Sequence, residues 1–366
     1  MRQTIRLGSI SGIPVGINWG LLAIAGFYLF NLAVGILPRA VADASALSYW
    51  IFAAVTVVLF FGSILAHELG HSIVAQRNGI KVKEITLWLL GGVALLEKEA
   101  DEPGVEFRIA IAGPAVSVAL AVLFGALTFA LAPTFGGTLL TFSLGYLAIV
   151  NGALALFNMI PAAPLDGGRV LTSYLWRRSG NRHRSRATAS QFGVIFGTLM
   201  MAVGIFGVLT GSGTFILAVL GFFLRAAAGS ERHRSEALDA LQGATISTAM
   251  APIVAPISSG VTVAGLQAVS AGYQQSVAFP LLGSNGIVGL IPSTAVGSIP
   301  GAQRPFVDAD SLVVGWEHFI SAQVNELVTD IVERAQAADK THVLVYDELG
   351  RQAGYFSLNS QLSFQA

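Results

Sequence analysis

The sequence predicts a polytopic α-helical membrane protein, about six transmembrane helices with a re-entrant β-hairpin, followed by a soluble α/β tail. Three observations carry that prediction. Only 11% of the 366 residues are charged and 54% are hydrophobic, whereas soluble domains carry roughly 25% charged residues. Charge-free runs of span length recur through the first two thirds of the chain. Beyond about Glu236 those runs shorten and Asp, Glu, Gln and Ser return. Formal net charge is zero, so nothing biases the chain toward nucleic acid or acidic partners. With no cysteine, disulfides are excluded and a metal site must draw on His, Asp, Glu or Asn.

Each element follows from these runs. Residues 1–16 carry Arg2 and Arg6, then Gly8, Gly12 and Pro14 in a short alternating stretch, which reads as a surface or hairpin segment at a membrane face. Ile17 to Pro38 is uncharged and forms span one. No small-residue cleavage signature precedes it, so it is expected to stay as an anchor. Span two runs from about Ala46 to Gln76. Ile85–Leu90, a Gly91-Gly92 turn and Val93–Leu96 read as a β-hairpin, flanked by Lys83, Glu84, Glu97 and Lys98. Two placements fit it: dipping into the membrane, or packed on the protein surface.

From Ile109 to Leu165 no charge appears, which accommodates span three (Ile109–Leu131), a turn at Pro133–Gly137 and span four (Leu139–Ile160). Gly113, Pro114 and Ser117 are small residues that allow close helix packing. Arg177, Arg178, Arg182, Arg184 and Arg186 make a basic loop. Ala187–Leu224, split at Gly211-Ser212-Gly213, supplies spans five and six. Basic residues concentrate before span one, after span two, between four and five, and after six, so both termini are expected in the cytoplasm. The tail reads as two similar halves, 245–300 and 305–366, with strand cores Val277–Leu282 and Gly286–Ile291 in one and His342–Tyr346 and Gln352–Phe356 in the other.

Span two ends in His67-Glu68-Leu69-Gly70-His71. On a helix, i and i+4 share a face, so the two imidazoles can reach one metal ion, and Glu68 lies beside the first. At membrane depth such residues are costly unless they serve a function. Zinc needs a third protein ligand, and the candidate is Asp166, which ends the long charge-free run among Pro161, Pro164, Gly167 and Gly168. The other reading of Asp166 is a cap on the following helix. Glu68 would act as base on water, and Asn158, eight residues before Asp166, could donate to a substrate carbonyl. Asn158 could equally make an interhelical hydrogen bond, a part Asn151 could fill instead. An extended substrate could add to an edge of the hairpin, which makes Gly91, Gly92 and Val93, with Pro161 and Pro164, candidate substrate contacts. A catalytically inactive membrane scaffold of the same fold is the alternative, against which the intact Glu68 argues. A metal transporter would spread ionisable residues over several spans.

These residues resemble the site-2 proteases, intramembrane zinc metalloproteases. The resemblance rests on His67–His71, on Gly113-Pro114-Ala115-Val116-Ser117, and on Asn158 to Gly168, similar to the family's N-x-x-P-x-P-L-D-G with one extra residue between the prolines. It covers about residues 1–228, followed by a linker, 229–243, and the tail, 244–366. It implies one Zn2+ per chain on His67, His71 and Asp166, catalysis by Glu68, and Asn158 near the substrate. The substrate implied is a single-span membrane protein such as an anti-sigma factor, cleaved in the plasma membrane. The tail resembles a pair of cystathionine-β-synthase (CBS) domains. Such pairs bind adenine nucleotides through a Thr or Ser and an Asp after the last strand. Here those stretches, GLIPSTAV and GYFSLNSQL, lack the Asp, so the pair is expected to work as a dimerisation or gating module that makes a homodimer.

Overall fold

The computed structural model describes residues 4–88, 91–211, 215–240, 243–273, 277–284 and 286–358. The chain folds as two compact units, residues 1–236 and 237–366.

The first unit opens with a hairpin of β1 (Ile5–Ile10) and β2 (Ile13–Ile17). Its two-residue turn, Ser11-Gly12, has φ of 53° and 77°, the left-handed pair that matches strand twist. Asn18 caps α1 (Trp19–Phe30), which continues through a π-helical stretch, Asn31–Ile36, into α2 (Leu37–Ala40). Ser45 caps α3 (Ala46–Arg77), the 32-residue helix that carries both histidines. Next come β3 (Val82–Trp88), β4 (Gly91–Leu96), α4 (Pro103–Phe135), α5 (Leu139–Asn158), α6 (Asp166–Ser179), α7 (Arg182–Leu209) and α8 (Phe215–Ala240).

Among the described residues, five helical runs are long and apolar enough to cross a membrane: Trp19–Ala40, α3, α4, α5 and α7. α8 is apolar only from Phe215 to Leu224 before Arg225, so the sixth expected span does not meet that criterion. Large apolar side chains on the spans face outward, Phe129 at 84% exposure and Leu156 at 76% among them, a surface that water would not tolerate at this extent and lipid does. Between helices the packing is polar in places: Tyr28 and Tyr146 share a hydrogen bond of 2.8 Å, joining α1 to α5.

The four strands form one sheet in the order β1-β2-β3-β4, with β2 and β3 parallel. The first hairpin thus extends the second, a pairing that local patterns do not reveal. Ile13, Val82 and Ile85 of this sheet pack with Ala75 of α3 and Ile109 of α4. The expected Gly91-Gly92 turn is corrected here. Trp88 pairs with Gly91 and Leu87 with Gly92, so both glycines lie in β4 rather than in a turn. Leu89 and Leu90, expected to end the first strand, lie outside the described residues. The reason for Gly92 is steric. A Cβ on Gly92 would stand 2.3 Å from Cγ of Glu68, so only glycine lets β4 pass so close to α3. β4 is an edge strand of the described sheet.

The second unit repeats one motif. After α9 (Ile246–Ala249), β5 (Ile257–Ser258), α10 (Val263–Ser270), β6 (Ala278–Gly283) and β7 (Gly286–Pro292) give strand, helix, strand, strand, with β5 parallel to β6 and β7 antiparallel. β8 (Val314–Gly315) then adds to β7. β9 (Phe319–Gln323), α11 (Val328–Ala337), β10 (His342–Tyr346) and β11 (Gln352–Ser357) repeat the order and the pairing senses. The division at 300/305 is corrected: β8 belongs to the first sheet, while Ile246 is buried in the second core with Val328, Ile331 and Val343. Ala251 likewise pairs with Tyr355. Each half is too small to close its own core, so the segments interleave, and Ala278, Leu290, Leu344 and Tyr355 join the two sheets.

Candidate metal centre

His67 and His71 lie one helical turn apart on α3 and are buried, at 3% and 6% exposure. Their Nε2 atoms are 3.2 Å apart. Asp166, the first residue of α6, brings Oδ2 to 3.1 Å from His67 Nε2 and Oδ1 to 3.3 Å from His71 Nε2. The fold therefore unites three candidate ligands from two helices, 99 residues apart in sequence at the widest. Asp166 does not cap its own helix. The cap position is Leu165, with no side-chain cap bond, and the carboxylate turns instead to the histidines.

The local sequence explains how α6 starts here. Pro161 and Pro164 cannot continue α5, and the chain turns. A Cβ on Gly167 would fall 2.4 Å from the carbonyl oxygen of Ile160, and one on Gly168 would fall 2.2 Å from N of Ala163. The two glycines let α6 begin directly against that turn.

α4 orients the rings. His71 Nδ1 lies 2.6 Å from the carbonyl oxygen of Ile109, which only accepts, so the ring donates there and a neutral His71 leaves Nε2 with a bare lone pair. His67 Nδ1 is 2.9 Å from Ser117 Oγ. Gly113 stands between these two supports. A Cβ there would be 2.2 Å from His71 Nε2 and 2.6 Å from His67 Nε2, inside the space the ligand atoms surround. A bare imidazole nitrogen facing a carboxylate at 3.3 Å is repulsive unless a cation stands between them. The spacings suit one: tetrahedral zinc with bonds of about 2.0–2.1 Å holds its ligand atoms about 3.3 Å apart. The donor set of two nitrogens and one carboxylate oxygen also fits zinc.

The remaining expected residues sit around this centre. Glu68 is half-buried beside His67 and its carboxylate has no hydrogen bond to a described residue. Asn158, half-buried at the end of α5, has a side chain equally without a partner among the described residues. Asn151 is engaged, donating to Ser63 Oγ at 3.3 Å and to the Leu147 carbonyl. Val93 is 46% exposed on β4, beyond Gly91 and Gly92. Pro161 lines an apolar cavity of about 650 Å³ with Phe107, Met159, Val170 and Tyr174, and Pro164 is exposed.

Three features escaped the sequence reading. The small size of Gly113 and Ser117 signals close packing but not their place against the rings. The Ile109 carbonyl is backbone, so no residue type signals it. Glu106 pairs with Arg169 at 2.8 Å. Its one available signal was an acid three residues before the long charge-free run and a base just after that run's end. Beside the centre, Glu99 binds Arg186 at 2.8 Å and also pairs with Arg182, and Arg186 reaches Glu231 of α8 at 3.4 Å. Burial alone would raise the Glu99 carboxyl, but Arg186 and Arg182 outweigh it and hold it down at about 2.

Helices clad in apolar side chains around a triad of two imidazoles and a carboxylate, with the Glu68 carboxylate alongside, define a membrane-embedded metallohydrolase. Comparison with known proteins narrows this. Residues 55–138 and 134–203 match peptidase family M50. Rip3 of Mycobacterium tuberculosis, named as a zinc metalloprotease, is 36% identical over 340 residues, which cover 91% of this chain and 86% of Rip3. The sll0528 protein of Synechocystis, named likewise, is 34% identical over 358 residues, 97% of this chain and 93% of that one. Among solved structures, the site-2 protease from Methanocaldococcus jannaschii is 32% identical with a TM-score of 0.44, covering 62% of this chain and 94% of that chain. The CBS domain of a bacterial CNNM/CorC family Mg2+ transporter is 17% identical with a TM-score of 0.25, over 39% of this chain and 91% of that chain. The chain belongs to peptidase family M50, the site-2 proteases. It is a multi-pass intramembrane zinc metalloprotease, acting on membrane-protein substrates in the bilayer.

Proposed function

We propose that His67, His71 and Asp166 hold the zinc ion and that Glu68 is the catalytic base. The observation that carries this is the convergence of His67 Nε2, His71 Nε2 and the Asp166 carboxylate, 3.1–3.3 Å from one another, with His71 Nδ1 held by the Ile109 carbonyl. Bound there, zinc supplies a Lewis acid that polarises a carbonyl and acidifies water. Glu68 takes the proton of the attacking water and returns it to the departing amine. Asn158, with its amide uncommitted, donates to a substrate carbonyl and steadies the charge that develops on it.

The substrate must reach this centre as an extended peptide, because a helix hides its amides in its own hydrogen bonds. β4 passes Glu68 at Gly92 and exposes its outer edge, so a substrate strand added to β4 lies beside the base. In this reading the hairpin is re-entrant, Gly91, Gly92 and Val93 contact the substrate backbone, and Pro161 and Pro164 border it. The substrate is a single-span membrane protein of the anti-sigma-factor kind. Residues 1–228 form the protease domain, 229–243 the linker and 244–366 the tail. α8 completes a sixth crossing in the plasma membrane, which keeps both termini in the cytoplasm, in line with the basic loops. The tail acts as a CBS-type module that pairs two chains and controls access. An adenine nucleotide is its candidate ligand, weakened by the missing Asp.

The test is zinc content per chain in detergent together with cleavage of a single-span reporter, with Glu68→Gln as control. One zinc in both proteins and cleavage in the wild type alone is the expected result. Zinc bound equally by Asp166→Ala would sink the ligand assignment.

A further inference from the structure

Glu106 and Arg169 form an ion pair that no step of the reaction uses. Arg169 Nε donates to Glu106 Oε1 at 2.8 Å, and Glu106 is 2% exposed. The Arg169 side chain is 29% exposed, but burying the Glu106 carboxylate costs desolvation that offsets much of the attraction, and well-packed apolar residues often serve stability as well or better. Its best-attested use is registry, and the positions of the two residues say what is registered.

On α4, the buried residues Glu106, Ile109, Ala110, Gly113 and Ser117 follow the three- and four-residue steps of one helical stripe. Two of them hold the histidine rings: Ile109 through its carbonyl and Ser117 through its hydroxyl. Gly113 keeps the space between the Nε2 atoms open. Glu106 is the end of that same stripe. On α6, Arg169 stands three residues after Asp166, on its face of the helix. The contacts therefore close into a ring. His67 and His71 rest on α4, α4 holds Arg169 through Glu106, and Arg169 shares its helix face with Asp166, which returns to the histidines. The contacts of Gly167 and Gly168 set how near α6 lies to the preceding turn. A charge-assisted hydrogen bond one turn further along sets its rotation and depth.

We propose that Glu106 and Arg169 are positioning residues that pre-organise Asp166 against the histidine pair, so that one stripe of α4 aligns all three ligands. The proposal rests on the reading of Asp166 as a ligand. Neither residue is one of the three candidate ligands.

The experiment uses the full chain in detergent. Zinc affinity is measured by chelator competition, cobalt(II) substitution is followed by its visible absorption, and Tm is measured on the metal-free protein. The informative variant is the apolar double, Glu106→Met with Arg169→Met, compared with Asp166→Ala. We expect the double variant to keep the metal-free Tm of the wild type and to bind zinc about 10–100-fold more weakly, with a cobalt spectrum altered toward that of Asp166→Ala. Wild-type zinc affinity with an unchanged cobalt spectrum would overturn the proposal, and so would a lowered Tm with unchanged affinity in the folded fraction. Should the double variant not fold, Glu106→Asp takes its place. It keeps the charge but withdraws it by one methylene, and the same loss of affinity is expected. Asp166→Ala binding zinc as tightly as the wild type would remove the ligand reading itself. Loss in Asp166→Ala with no loss in the double variant would remove only the positioning role.

Discussion

Gly113 shows how little room the centre leaves at a single residue. It carries no ligand atom, yet one methyl group there would stand 2.2 Å from His71 Nε2. Gly113→Ala is therefore expected to abolish zinc binding while leaving the helix intact, since alanine is the better helix former; zinc content and far-ultraviolet circular dichroism check both halves. Ser117 acts more gently. It meets His67 Nδ1 at 2.9 Å and fixes the ring from behind, and removing such a support costs about 10–100-fold in metal affinity. Ser117→Ala should show that loss by chelator competition, and Ser117→Thr should recover part of it. Glu68 separates binding from chemistry. Glu68→Gln should bind zinc as the wild type does and lose about 10²–10⁴-fold in cleavage of a single-span reporter, the range that a positioned acid–base group contributes.

At the scale of elements, the approach of β4 to α3 is the feature that couples the sheet to the reaction. Gly92→Ala would push against Glu68 Cγ, 2.3 Å from the new Cβ. A displacement of about 1 Å at a reacting group can cost about 10²-fold, so cleavage should fall by that order while zinc content stays at the wild-type value. Equal loss of zinc would mean that the strand supports the metal rather than the base. The cluster around Glu99 gives a second prediction, in pH. Its folded value is depressed to about 2 from an ordinary 4.5. A depressed carboxyl adds stability that is complete above the ordinary value and fades as pH falls toward the folded one. Thermal stability in detergent should therefore drop from about pH 4.5 toward pH 2 in the wild type, and Glu99→Gln should remove that part of the slope. The cluster joins the segment before α4 to α7 and α8, so acid should loosen this corner before the bundle.

For the whole molecule, the open matter is topology across the membrane. With α7 crossing, Arg184 in its first turn and the tail lie on the same side only if α8 also crosses. The chain has no cysteine, so single substitutions report cleanly. Arg184→Cys and Leu349→Cys, both at exposed positions, should label from the cytoplasmic face alone in sealed vesicles. Labelling from opposite faces would leave five crossings and place the tail outside. If the tail gates access, ending the chain at Glu236, the last residue of the first unit, should keep zinc binding and change the cleavage rate.

Spacing and charge are local properties, and whatever depends on them was legible from residue types. Span-length apolar runs marked the membrane helices. An i, i+4 pair of histidines inside such a run pointed to a metal site, and an aspartate among prolines and glycines at the end of the next long run was the candidate third ligand, which the fold brings within 3.1 Å of His67. The two similar halves of the tail and their strand cores were visible in the same way. Other features depend on which chain segments meet, and no local pattern carries that. The orientation of the His71 ring is decided by a backbone carbonyl on another helix. Gly91 and Gly92, typical turn residues by composition, lie in β4, and Gly92 passes directly against Glu68 of α3. Glu106 and Arg169, 63 residues apart, found each other only when α4 and α6 packed, and in the tail each half completed its core with a segment of the other. Residue type sets what a side chain is able to do, and packing decides which partner it meets.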